Sequence, residues 1–206
     1  MAAPVVRRVS YDSIALLDDR IIKSPRKMTV ESARPSDAKG ICSVLAANRD
    51  DPGLFQKPES LVRATITEWL VARDAGGKVV GCACLHRESR QLAEIHGVAV
   101  LPEFQGKGIG GALIRECQRR AGGQQIEKLW LATVKPEYFG RYGFRRFNRW
   151  NLPFATMRRK FQQVFDQPAR RWLPALFGRH IFMECHLSSD GPGAESHAPS
   201  PATRML

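Results

Sequence analysis

The sequence predicts an α+β domain built on one sheet, and three observations lead to that prediction. The chain has 206 residues, which is enough for one domain with a substantial core. Apolar periodicity gives the element order β-α-α-β-β-β-α-β-α-β-α-β between residues 28 and 187. A turn with four glycines in six positions follows the fourth strand. Residues 1–27 lack periodicity and are interpreted as an N-terminal extension, and the Ser/Pro/Gly-rich residues 188–206 as a disordered tail.

Composition limits the classes of function. Hydrophobic residues at 43% and charged residues at 25% are typical of a soluble globular protein. No uncharged apolar run reaches the roughly 18 residues that a membrane-spanning helix needs. The formal charge of +12 indicates anionic partners, such as nucleic acid, phosphorylated cofactors or acidic substrates. We expect a cytoplasmic protein with no membrane contact, and no motif marks a nucleic-acid site.

The five cysteines fall mostly within apolar runs, which favours buried and reduced thiols. Cys82 and Cys84 alternate on a predicted strand and therefore share one face. A metal pair is the other interpretation, but no second Cys/His pair at zinc-finger spacing accompanies them. We expect core packing at both positions and no bound metal.

In the first half of the chain, "MTVESARPSD" predicts a strand that ends at Pro35, and the next helix carries Ile41, Val44 and Leu45 on one face. "ESLVRATIT" predicts a short helix. "EWLVARDAGGKVVGCACLHRE" predicts a hairpin with its turn at Asp74–Gly77, and "LAEIHGVAV" predicts the strand before the glycine turn.

The second half begins with a helix that has Ile109, Leu113 and Cys117 on one side and stops at Gly122–Gly123. "KLWLAT" predicts a strand, "PEYFGRYGF" a short helix, "RRFNRWNL" another strand and "RHIFMECHL" the last one. A second amphipathic helix is predicted from apolar residues at helical spacing, namely Phe154, Met157, Phe161, Val164 and Phe165.

The glycine turn has the form of an anion site, because the first N–H groups of a helix lack intrahelical partners and its dipole attracts negative charge. The phosphate loop of nucleotide triphosphatases requires GxxxxGK[ST], and Gly106-Lys107 is followed by Gly108 instead. Gly106, Gly108 and Gly111 satisfy the GxGxxG of dinucleotide-binding folds, but no acidic residue ends the next strand. A surface helix cap without a ligand is the plain alternative.

A third pattern, Q/R-x-x-G-x-G/A, is met by the segment from Gln105 to Gly110. With it the chain resembles the GCN5-related N-acetyltransferase (GNAT) superfamily. "VAVLPEFQGKGIGGALI" is similar to that family's central strand and pyrophosphate loop, "YFGRYGF" to its FYxxxGF motif, and "ARPSDAKGI" to its opening strand and helix. The resemblance covers about residues 28–187. It implies a GNAT fold: a central mixed, mostly antiparallel sheet with a splayed central strand and helices on both faces.

The resemblance also implies acetyl-CoA as the acetyl donor, with no metal. Amides of the glycine turn would face the pyrophosphate, and main-chain groups of the strand before it would face the pantetheine arm, next to a bulge. The coenzyme-binding residues so implied are Val98, Ala99, Val100, Gln105, Gly106, Lys107, Gly108, Ile109, Gly110, Gly111 and Phe139.

Acetyl transfer to an amine requires removal of the amine proton and departure of a thiolate. In the family a glutamate on the central strand removes the proton, and Glu94 occupies that position, with His96 on the same face as a second candidate. The usual proton donor is the tyrosine of FYxxxGF, but Phe139 stands there. Tyr138, one residue earlier, is the remaining candidate, and the thiolate could also leave without an acid.

The acceptor amine is less defined. Aromatic pairs before xxxGF and "NLPFATMRRK" loosely resemble the acetyltransferase domain of N-acetylglutamate synthases, which implies an amino acid such as glutamate, held by Arg158 or Arg159. The alternatives are a protein lysine or N-terminus, or a non-catalytic acetyl-CoA-binding regulatory module. The oligomeric state stays open, a homodimer included.

Overall fold

A computed structural model describes residues 28–165 and 180–187, so the interpretations of residues 1–27 and 188–206 concern segments outside the described ranges. The strands are β1 Thr29–Ser32, β2 Trp69–Arg73, β3 Val79–Arg87, β4 Leu92–Val100, β5 Lys128–Thr133, β6 Arg145–Arg146 and β7 Ile181–His186. The helices are α1 Ala38–Ala47, α2 Glu59–Ala64, α3 Ile109–Gly123, α4 Pro136–Gly140 and α5 Phe154–Phe165. This element order is the predicted one.

All seven strands form one sheet in the order β1-β2-β3-β4-β5-β7-β6. The β4–β5 pair is parallel, and each other pair of neighbours is antiparallel. The prediction of an α+β fold with a mixed, mostly antiparallel sheet is therefore confirmed. Strand β4 is the middle strand of the seven, so whatever its sequence builds lies at the centre of the domain.

Strand β4 has the two irregularities that the resemblance implies. Its pairing with β3 shifts between Cys82–Ala99 and Cys84–His96, so two residues of β4, Gly97 and Val98, face one residue of β3. Gly97 has φ +63°, a conformation that glycine adopts without steric cost. Pairing with β5 stops at Glu94, although both strands continue. The two central strands therefore splay apart beyond Glu94.

Helix α3 packs against the sheet through the face predicted from its sequence. Ile109, Leu113 and Cys117 are buried there. Gly81 of β3 lies beneath, and a Cβ at this glycine would come within 3.2 Å of Ile109 Cγ2 and of Leu113 Cδ1. Close approach of α3 to β3 therefore depends on the small residue at position 81.

Two predictions about the second half are wrong in detail. "RRFNRWNL" forms a strand only at Arg145–Arg146, because the Asn148 side chain accepts from the Trp150 amide and caps a 3-10 turn over Arg149–Asn151. Helix α5 exists as predicted, but Phe154 at its first position is 83% exposed, whereas Met157 is buried. Phe154 therefore lies outside the buried stripe of α5, although it was predicted to belong to it.

All five cysteines are free, and Cys82, Cys84 and Cys117 are buried, as the core-packing interpretation predicts. Among the described residues, no group of three or more His, Cys, Asp and Glu side chains is placed to hold a metal ion. Within the same ranges no helix combines the length and the apolar character needed to cross a membrane.

Candidate active site

A cavity of about 680 Å³ occupies the gap where β4 and β5 separate. Its walls include β4 from Ile95 to Val100 and β5 from Leu131 onward, with the glycine turn at one end. Because β4 lacks its β5 partner here, main-chain groups along one edge of the strand face the cavity instead of a neighbouring strand. The splay thus creates both the space and a row of hydrogen-bonding groups beside it.

The glycine turn closes one end of this cavity, which we call the donor end and define by Phe104–Gly110 with Val98–Val100. Gly106 and Gly108 have φ values of +75° and +78°, in the left-handed region that L side chains rarely adopt. Gly108 is the N-cap of α3, so the unpaired amides of the first helical turn point toward the cavity. Lys107 lies at the rim, 4.9 Å above the Phe104 ring.

The side chain of Gln105 anchors the turn. Its Nε2 donates to the Val100 carbonyl (3.0 Å) and to Asn48 Oδ1 (3.1 Å). Asn48, at the end of α1, donates in turn to the same Val100 carbonyl at 3.0 Å. The Val100 carbonyl therefore already has two donors, which leaves the bulged Val98 as the better-placed main-chain group on β4. Sequence reasoning missed Asn48, because an asparagine at a helix end is common.

The two adjacent glycines of α3 have a packing role. A Cβ at Gly110 would lie 2.3 Å from the Tyr138 hydroxyl oxygen, and one at Gly111 would lie 2.3 Å from that of Tyr142. Gly110 also lines the cavity, whereas Gly111 is buried and does not. Gly111 was predicted as a coenzyme contact. The structure explains the glycine at this position by the close packing of the Tyr142 side chain against it.

Tyr138 and Phe139 of α4 both line the cavity. Their rings meet edge to face with centroids 5.2 Å apart, and Phe139 packs in the same way on Phe144 at 6.2 Å. Burial and the neighbouring Tyr142 raise the pKa of the Tyr138 hydroxyl above its usual value. Tyr138 is therefore a weak acid, whose hydroxyl lies over Gly110.

The other end of the cavity is cationic. Lys57 and Lys160 line it with the imidazole of His96 beside them, since both lysines lower the pKa of His96 and Lys160 lowers that of Lys57. We call Lys57 and Lys160 the cationic end. Burial lowers the pKa of Lys57, and the cationic Lys160 and Arg159 lower it further. Among the described residues, no carboxylate lies within ion-pair distance of the Lys57 ammonium.

Glu94 lies beneath the cationic end and outside the cavity lining. Its side chain is 0% exposed, its Oε2 is 2.7 Å from the Arg159 guanidinium, and its Oε1 is ion-paired with Lys160. Arg159 also pairs with Glu88 at the end of β3, which fastens α5 to the sheet. Burial raises the pKa of Glu94, but the cations Lys160 and Arg159 outweigh it and hold the pKa below its usual value.

His96 is the predicted catalytic residue of β4 that does line the cavity. It precedes the bulge, and its ring meets the edge of Trp69 with centroids 5.9 Å apart. Burial lowers the pKa of His96 well below its usual value; Glu94 raises it, while Lys57, Lys160 and Arg159 lower it. The imidazole is therefore neutral at pH 7 and has an unprotonated nitrogen.

The arginines suggested from "NLPFATMRRK" do not reach the cavity. Arg158 is exposed, and Arg159 is occupied by Glu88 and Glu94. Lys160, the third basic residue of that run, lines the cavity instead. Helix phase decides which of three consecutive side chains points inward, and the apolar positions Met157 and Phe161 on either side of the run do not select one of the three. Lys57 had no sequence signal, because it lies in a loop.

Residues 43–144 match the sequence profile of the Acetyltransferase (GNAT) family. An amino-acid acetyltransferase of Mycobacterium tuberculosis is 34% identical over 144 residues, which cover 69% of this chain and 78% of that protein. The chain belongs to the GNAT family of acetyltransferases.

Two solved structures show the same GNAT fold. A Mycobacterium tuberculosis protein in complex with CoA and NLQ has a TM-score of 0.62 at 26% identity, over 78% of this chain and 99% of that one. N-acetylglutamate synthase from Neisseria gonorrhoeae, complexed with coenzyme A and N-acetyl-glutamate, has a TM-score of 0.65 at 21% identity. It matches 78% of this chain, and this GNAT chain spans 35% of that longer enzyme.

Proposed function

We propose that this GNAT acetyltransferase transfers the acetyl group of acetyl-CoA to the amine of a small molecule that carries a carboxylate, such as an amino acid. One observation carries the proposal: a single cavity joins the glycine turn, built to receive a phosphate, to an end lined by cationic side chains. The amino-acid acetyltransferase of Mycobacterium tuberculosis and the related structure bound to CoA and NLQ support it.

The donor end suits coenzyme A because each part of that molecule has a matching surface. The amides at Gly106–Gly110 offer donors to the pyrophosphate, and Lys107 adds a positive charge at the rim. The open edge of β4 at Val98 can pair with the amides of the pantetheine arm, as an added strand would. Phe139 and Tyr138 cover the arm from the α4 side.

The cationic end suits a carboxylate because Lys57, among the described residues, forms no ion pair. Lys160 pairs directly with Glu94, whereas Lys57 feels the charge of Glu94 without contacting it. A partly buried ammonium without an ion-pair partner is unfavourable, and a bound carboxylate reduces that penalty. A polyamine or a lysine side chain would add positive charge to this end and be repelled. Acceptors are therefore selected by charge.

A panel of amines with acetyl-CoA and a thiol-release readout tests the proposal. Amino acids are expected to turn over, and the matched control is each amino acid with its α-carboxylate converted to an amide. The amide should lose at least about tenfold in kcat/KM, since an ion pair is replaced by a neutral group. Exclusive turnover of lysine peptides would make the protein a protein acetyltransferase. Coenzyme binding without turnover of any amine would make it a binding module.

A further inference from the structure

We propose that His96 takes the proton from the acceptor amine, and that Glu94 is a positioning residue that holds Lys160 and Arg159 in place. This inference rests on the proposed function and divides the work between two residues that share one face of β4. The division follows from which of the two side chains reaches the cavity.

Glu94 is closed off from any acceptor. Its carboxylate is fully buried, and both of its oxygens face cations of α5: Arg159 at 2.7 Å on one side and Lys160 on the other. Lys160 contacts Glu94 and also lines the cavity, whereas Glu94 does not line it. An amine that took the place of Lys160 beside Glu94 would leave that ammonium without a partner, which is unfavourable in a buried site.

His96 has the access that Glu94 lacks. It lines the cavity at the residue before the Gly97–Val98 bulge, where the open edge of β4 begins to face the donor end. The groups that face it are Glu94 on its own strand, Cys84 across on β3, Lys57 from the loop before α2, and Arg159 and Lys160 from α5. The edge contact with Trp69 restrains the orientation of the ring.

The charges around His96 couple its basicity to binding of the acceptor. Burial and three neighbouring cations hold the pKa of His96 low, and Lys57 is one of those cations. A carboxylate that pairs with Lys57 cancels part of this repulsion and raises the pKa of the imidazole. His96 therefore becomes a stronger base when an acidic acceptor is in place.

The acceptor ammonium gives one proton to the cavity-facing nitrogen of His96, and the lone pair of the amine forms the N–C bond to the acetyl carbonyl carbon. The C–S bond breaks with its electron pair on sulfur, and the nitrogen loses its second proton. One of the two protons ends on the thiolate, to give free coenzyme A, and the other goes to solvent. Lys57 holds the carboxylate throughout, and Glu94 exchanges no proton.

The first test replaces His96. His96→Gln should lower kcat by about 10²- to 10⁴-fold, the usual share of a general base. The dissociation constant of coenzyme A and the KM of the acceptor should stay within about threefold, because His96 supplies neither contact. The acid limb of the kcat/KM profile should vanish, and added imidazole should partly restore His96→Ala. Near-normal kcat in His96→Gln, with the acid limb intact, overturns the assignment.

The second test separates a base from a counter-ion at position 94. Glu94→Gln leaves Lys160 uncompensated and should lower kcat by about tenfold or more, while Glu94→Gln/Lys160→Met removes both charges and should regain most of that loss in kcat, with the change in acceptor KM measured separately. Arg159 keeps Glu88 in both variants. The single Lys160→Met variant is the matched control. A double variant that folds, binds coenzyme A and stays as inactive as Glu94→Gln makes Glu94 the base.

These outcomes are distinct from failure of the proposed function. If the parent enzyme acetylates no carboxylate-bearing amine, the acceptor class is wrong and the assignment of His96 falls with it. If the parent turns over and His96→Gln does so equally well, only the assignment is wrong.

Discussion

The donor end and the cationic end of the cavity are built by different means. The donor end consists mainly of backbone: left-handed glycines at 106 and 108, the N-terminal amides of α3 and the open edge of β4. The cationic end consists of lysine side chains from a loop and a helix, near one buried carboxylate. Substitutions that alter backbone conformation should therefore weaken binding at the donor end. Substitutions that alter charge should weaken binding at the cationic end.

Among variants that alter one end of the cavity and leave His96 in place, the largest effect is expected from Lys57→Met with a carboxylate acceptor. The variant keeps the approximate length of the side chain and removes the charge. The lost transition-state stabilisation should be about 2–5 kcal/mol, so kcat/KM should fall roughly 30-fold or more. With the amide of the same amino acid the loss should be under about threefold. Kinetics on this pair of acceptors gives the comparison, and Lys57→Arg, which keeps the charge, is the control. An equal loss for acid and amide would mean that Lys57 supports the fold of the cavity.

The counterpart at the donor end is Gly108→Val. A β-branched residue at φ +78° is strained by about 1–3 kcal/mol, and its side chain would project beside the N-terminal amides of α3. Coenzyme A affinity should fall about tenfold or more, measured by calorimetry on folded protein. Gly123→Val, at the far end of α3 in open space, is the matched control. Unchanged affinity in Gly108→Val would remove the glycine turn from the coenzyme site.

This contrast also explains how much the sequence could predict. The backbone of the donor end was predictable, because glycine spacing after a strand fixes backbone geometry locally, although Gly111 packs against Tyr142 instead of lining the cavity. Even the bulge and the splay of β4 follow from the resemblance carried by that one segment. The cationic end was not predictable, since Lys57 and Lys160 are about a hundred residues apart and meet only through tertiary packing. Glu94 was found from sequence, but its two ion pairs were not, and those pairs decide what it can do.

A smaller effect, confined to packing, separates Gly110 from its neighbour. Gly110→Ala should destabilise the parent by about 1–3 kcal/mol through overpacking, because its Cβ would lie 2.3 Å from the Tyr138 hydroxyl oxygen. In Tyr138→Phe the nearest atom becomes the ring carbon at 3.5 Å, so Gly110→Ala should be neutral or stabilising there. Gly111→Ala in Tyr142→Phe should stay unfavourable, since ring carbons at 3.0 and 3.2 Å remain. Thermal unfolding of the four single and two double variants decides.

The smallest effect is a pH dependence that belongs to the cationic end alone. The pKa of Lys57 is lowered from its usual value, first by burial and then by Lys160 and Arg159. The protonated form of Lys57 binds a carboxylate, so affinity should be full below the lowered pKa and should decline as pH rises through it, by at most tenfold per pH unit.

The probe for this decline is the N-acetylated amino acid, because it keeps the carboxylate and has no amine to titrate. Calorimetry from pH 7 to 10 should show this decline in the parent, and Lys57→Arg should abolish it, since a guanidinium stays charged throughout. Coenzyme A affinity, measured in parallel, should not share the Lys57-dependent decline. An alkaline decline that persists in Lys57→Arg would mean that another group in the cavity binds the carboxylate. The cationic end would then depend on a cation other than Lys57.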